Sequence, residues 1–164
     1  MLQRYAGLGL ILLGLAPTMA HADAFDHYFN KILAKIPESK NAEKVAKLTP
    51  ELMVQNNRAL PGITAAFVVV KTNDNNYAKM LIHPARQKTS QGQSVPIILI
   101  ERYVTFREGE ERAIQASGKN VRLFGEFRFS LDIGQVVPVN VPADLRVGLE
   151  NDEPFLEPIG KAEI

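Results

Sequence analysis

The residues of this chain best suited to chemistry are its histidines, a few clustered carboxylates and one phenylalanine flanked by arginines. Asp23 and His27 stand four apart on a stretch with helical periodicity, so both face one side, with Asp26 adjacent. That spacing suits a metal ion, but no second pair of ligands accompanies it. The two acids also do ordinary work at a helix start, where they complement the positive end of the helix dipole. His83 precedes Pro84 at the end of a strand. Paired with an acid such as Glu101 or Glu110 it would serve a hydrolase as general base, yet no serine sits in a nucleophile elbow.

Glu108, Glu110 and Glu111 crowd one turn between Arg107 and Arg112. They lack the Asp/Asn spacing of a calcium loop, and the arginines neutralise them, so a solvated hairpin tip is expected. Asn73-Asp74-Asn75-Asn76 also offers oxygen ligands, but these are the residues that form turns. The most distinctive surface is the polar face of a strand expected over 121–133. There Phe124 stands between Arg122 and Glu126, with Arg128 beyond. An exposed ring among guanidinium groups can stack on a ligand ring or meet an acidic one. Arg122, Phe124 and Arg128 are therefore the expected binding residues. The competing reading buries Phe124 under an N-terminal helix or a cross-strand neighbour and pairs the arginines with Glu126.

Several chemistries lack their residues. The chain has no cysteine, which removes thiol catalysis, disulfides, iron–sulfur centres and Cys-ligated zinc. GxxxxGK[ST], HExxH and GxSxG are all missing, as is any Asn-x-Ser/Thr acceptor. A formal net charge of +1 on 164 residues provides no basic field for nucleic acid.

The elements that must position these residues begin after an apparent leader. Arg4 precedes the apolar run Ala6 to Ala16, then Pro17 and the small-residue pattern Ala20-His21-Ala22. This is the order of a secretory signal peptide cleaved after Ala22, with Ala22-Asp23-Ala24 as a second cut site. The run is shorter than the roughly 18 residues a membrane-spanning helix needs, so no span is expected after cleavage. Cleavage leaves 142 residues with 18 charges of each sign, because Arg4 is the one charged residue removed. The slight basicity of the whole chain thus says nothing of partners.

Residues 23–62 are expected to be helical. Phe25, Tyr28, Phe29, Ile32, Leu33 and Ile36 recur at spacings of three and four, and Pro37 stops the run. A second helix is expected over about 41–48 and a third from Thr49-Pro50-Glu51 to about Arg58. After Gly62 the period changes to that of strands. Strands are expected over 63–72, 77–83, 95–107, a short return over 112–116, the long 121–133, an edge strand over 136–141 and a strand over 143–149. Pro84 should close the second, leaving 85–93 an exposed loop, and Gly125 should bend the long strand. Residues 150–164 read as an acidic tail that adds at most a short terminal strand. An outer-membrane barrel needs more strands than these and no competing helices.

The fold class expected is α+β: short N-terminal helices, then an antiparallel sheet of five to seven strands arranged as a meander, a partly open barrel or a small sandwich. The function expected is a non-enzymatic binding or envelope-associated domain, periplasmic or secreted. Its partner would be a protein or a small-molecule ligand, with no cofactor and no metal. The alternatives are a small exported hydrolase built on His83 and scattered carboxylates, and a structural protein that self-associates along proline-free strand edges.

Overall fold

The computed structural model describes residues 44–55, 65–108 and 113–164. They form one short helix, α1 (Pro50–Gln55), and eight strands in two antiparallel sheets. In the first sheet β1 (Ala66–Lys71), β2 (Tyr77–Lys88), β3 (Ser94–Phe106) and β4 (Ile114–Phe124) lie in chain order. The second is built from β5 (Arg128–Ser130), β6 (Gln135–Val137), β7 (Leu145–Glu150) and β8 (Glu153–Pro158), ordered β6-β5-β7-β8. One apolar core serves both: Val68, Met80, Ile100 and Leu123 from the first sheet meet Phe129, Leu145, Val147 and Leu156 from the second. Met53 of α1 is fully buried in it.

The protein is thus mostly antiparallel sheet with almost no helix among the described residues, and it has more strands than the five to seven expected. The expected helix over 24–36 lies outside the described residues. So do the leader and the segment 56–64. The helix expected over 41–48 is not formed in its described part. Leu48 instead exchanges two backbone hydrogen bonds with Leu156, and the Val45 amide donates to the Ile164 carbonyl at 2.7 Å. The C-terminal strand offers an open edge, and edge pairing there outweighs the weak helical propensity of so short a stretch.

Pro84 does not end β2. The last described β1–β2 pair is Ala66 with Ile82, so among the described residues Pro84 is paired only with Ile98 of β3, an edge position where a proline is tolerated. The expected loop over 85–93 therefore shrinks to a tight turn about residues 89–93.

Between the pairs Leu81–Arg102 and Ile82–Ile100, Glu101 has no opposite residue and bulges. Across β3, Asn120 takes a left-handed conformation with φ of 58°. That turn-tolerant residue lets β4 run unbroken through Ser117–Asn120, where the sequence suggests a turn.

The expected strand over 121–133 is two strands in different sheets. Gly125 and Glu126 form a turn closed by the Phe127 amide on the Phe124 carbonyl, at 3.1 Å, with Glu126 left-handed at φ 67°. Of the face expected inside, Leu123, Phe129 and Leu131 are buried, whereas Phe127 and Ile133 fall at turns and are exposed. The presumed tail is structural. Leu156 is fully buried and Glu163 bridges to Lys71 at the edge of β1.

A polar latch ties the sheets together. Buried Asp144 accepts the Asn73 amide (2.8 Å), the Asn73 side-chain amide (2.9 Å) and the Leu131 amide (2.8 Å). Asn73 in turn bonds the Ala143 carbonyl and the Lys161 amide. Asp132 accepts Thr72 Oγ1 at 3.1 Å and Asn76 Nδ2 at 2.8 Å. The Asn73–Asn76 cluster is thus consumed in structure.

Candidate functional site

The second sheet carries a groove of about 650 Å³, open to solvent along one side. Register builds its floor. Glu157 on β8 pairs with Arg146 on β7, Arg146 with Arg128 on β5, and Arg128 with Val137 on β6. Residues directly opposite in an antiparallel ladder share a face, so two guanidinium groups lie side by side there. The walls are apolar: Phe127 from the turn before β5, Val136, Pro138 and Val139 around the end of β6, and Ile159 after β8. The latch sets this spacing, since the Asp144 amide donates to Phe129 and the Ile159 amide to the Asp144 carbonyl, at 3.0 and 2.9 Å.

The two arginines differ. Arg146 Nε and Nη2 both lie 2.6 Å from Glu157 Oε1, and Nη1 lies 3.7 Å from Glu126 Oε2. Its charge is neutralised. Arg128 donates Nη1 to the Val139 carbonyl, and no carboxylate among the described residues pairs with it. The groove therefore combines a cation that no described carboxylate compensates with exposed apolar surface at Phe127, Val136 and Val139.

The three residues expected to form one binding face are not placed together. Arg128 lines the groove. Arg122 and Phe124 sit on β4 in the other sheet and are not among its lining residues. Phe124 is half-buried, edge-on to the Phe127 ring with centroids 5.5 Å apart, so the turn at Gly125 uses it for packing. Arg146, Val139 and Glu157 escaped notice in the sequence. Arg146 lies on the polar side of an alternating strand, but only the pairing of β5 with β7 puts it beside Arg128.

His83 and Glu101 are brought together. The bulge swings Glu101 to place Oε1 2.9 Å from His83 Nδ1, off the alignment of a hydrogen bond. Neither residue lines the groove. Glu108 is exposed and its amide bonds Asn76 Oδ1, while Glu110, Glu111 and Arg112 lie outside the described residues, as do Asp23, Asp26 and His27.

Among the described residues no group of three or more acids or histidines is gathered as a metal site demands, and no helix is long and apolar enough to cross a membrane. Burial pushes the Asp132 carboxyl above its ordinary range, against the pull of the Asn76 and Thr72 bonds. Burial likewise raises the Tyr103 phenol, which donates to the Gly134 carbonyl at 3.0 Å. Comparison of the chain with protein-family models, with curated proteins and with solved structures gives no match.

Proposed function

We propose that the protein is an exported, non-enzymatic binding domain, periplasmic or secreted, delivered by the leader at residues 1–22 and engaging its partner through the groove of the second sheet. The observation that carries this reading is Arg128, uncompensated by any described carboxylate, beside exposed Val136 and Val139. Enclosed pockets bury most of a small ligand, whereas this groove is shallow and open. It suits an extended partner segment that sets a carboxylate on Arg128 and apolar side chains on the walls.

Display of random peptides against the mature protein tests this. Enrichment of apolar peptides with an acidic residue is expected, with loss of binding by at least tenfold in Arg128→Glu and in Val139→Asp. Arg122→Ala should bind as the parent does. Peptides that bind all four proteins equally, or no enrichment at all, would overturn the reading.

The approach of Glu101 to His83 favours one second reading, a small exported hydrolase. Turnover of chromogenic esters or glycosides that disappears in His83→Ala would support it, and equal rates in both proteins would remove it.

A further inference from the structure

We infer that the back face of the first sheet is the seat of the chain's own segment 24–36, docked across the four strands as an amphipathic helix. Strand alternation assigns the faces. Val68, Met80, Ile98 and Ile100 point into the core shared with the second sheet, so Phe67, Val69, Leu81, Ile97, Leu99 and Val104 point the other way. A sheet apolar on both faces needs a cover on each. The back face has one: Ile97 is 2% exposed and Val104 5%, although neither belongs to the shared core. Lys79, on the same face, is 1% exposed.

Among the described residues, Phe124 lies opposite Ile97 and the Phe106 ring stands beside Lys79, both within the sheet itself, and no described helix or strand outside the sheet is assigned to this face. The second sheet packs on the core face, and Met53 of α1 is buried in that same core. Segment 24–36 fits the requirement in pattern, length and position. Phe25, Tyr28, Phe29, Ile32, Leu33 and Ile36 form one apolar stripe, with Lys31 and Lys35 off it. Thirteen helical residues extend about 20 Å, enough to cross four strands spaced about 4.8 Å apart. The described chain begins beside β1, where the Val45 amide bonds Ile164 and Glu163 bridges to Lys71. The seven residues between Ile36 and Lys44 can reach about 25 Å, which brings the segment over the sheet.

A protein without cysteine lends itself to a direct test. Full-length chains carrying Leu99→Cys together with Ile32→Cys or Tyr28→Cys are treated with a short bifunctional maleimide. Intramolecular cross-links are expected from at least one pair, and none from Leu99→Cys with Lys31→Cys, whose second thiol is on the far side of the helix. A second measurement follows the rate at which Leu99→Cys alone reacts with a monofunctional maleimide. It should rise at least tenfold when Ile32→Asp and Leu33→Asp are added, while the rate at Val139→Cys, on the exposed groove wall, stays the same. Cross-links formed only between chains would assign the face to a second copy. Absence of cross-links, with a Leu99→Cys rate indifferent to the segment, would assign it to something else. Either result overturns the inference.

Discussion

Replacing Asp144 by alanine tests whether the groove rests on the latch beneath it. The carboxylate accepts three N–H groups at 2.8–2.9 Å, two on Oδ1 and one on Oδ2, and the substitution removes all three bonds at once. The donors are not equal in cost. Leu131 is fully buried, so its amide is left without water and carries the full desolvation penalty of about 1–3 kcal/mol. Asn73 is only partly buried and its two donors can be rehydrated, which holds their joint cost to about 1–2 kcal/mol. The expected loss is about 2–5 kcal/mol, a large share of the roughly 5–15 kcal/mol that stabilises a typical domain.

Asp144→Asn should lose less. Its one remaining carbonyl oxygen can serve both Asn73 donors while its amide opposes Leu131. Urea denaturation followed by far-ultraviolet circular dichroism is the appropriate assay, since the chain has no tryptophan. Asn73→Ala combined with Asp144→Ala should cost less than the sum of the single changes, because the bond from Asn73 Nδ2 to Asp144 Oδ1 is removed by both. A loss below about 1 kcal/mol in Asp144→Ala, or strict additivity in the pair, would refute the account of Asp144 as the hub of the latch.

Other expectations follow from particular contacts. Gly148→Ala should cost about 1–3 kcal/mol by thermal denaturation, because a Cβ there overlaps the Phe155 ring that lies across it; adding Phe155→Ala should relieve most of that loss. Leu156→Ala should cost about 2–5 kcal/mol in urea, since this residue of the supposed tail is fully buried in the core; a change near zero would return the segment to the status of a tail. Asp132 holds its proton to higher pH folded than unfolded, so its contribution to stability is present below its unfolded pKa of about 3.9 and is lost as pH rises through the folded value. The stability of Asp132→Asn relative to the parent should therefore increase from pH 3 to pH 7, and a flat difference would contradict the raised value. Tyr103→Phe, which removes the bond to the Gly134 carbonyl, should cost about 0.5–1.5 kcal/mol by the same denaturation assay.

Local pattern carried much of the β region. The alternation over Ala66–Lys71, the apolar run Ile97–Ile100 and the polar cluster at Asn73–Asn76 each formed the strand or turn that its residue types favour. The absence of cysteine likewise excluded disulfides, and among the described residues seventeen buried side chains in one core, together with the Asp144 latch, join the two sheets. These features depend on neighbours close in the chain, or on composition.

Pairing between distant segments lies beyond that reach. Pro84 stays in a strand where, among the described residues, only β3 pairs with it, and residues 44–48 leave the helical pattern where the edge at Leu156 is open to them. The groove depends on pairing in the same way. Arg128, a residue singled out by its surroundings in sequence, reached the site, while Arg122 and Phe124 were separated from it by the turn at Gly125. Arg146 joined Arg128 because β5 lies beside β7 rather than β8. Sequence alone determined which residues favour strands, turns and burial. Tertiary structure decided which strands meet, because that choice depends on hydrogen-bonded edges and buried faces supplied by residues far apart in the chain.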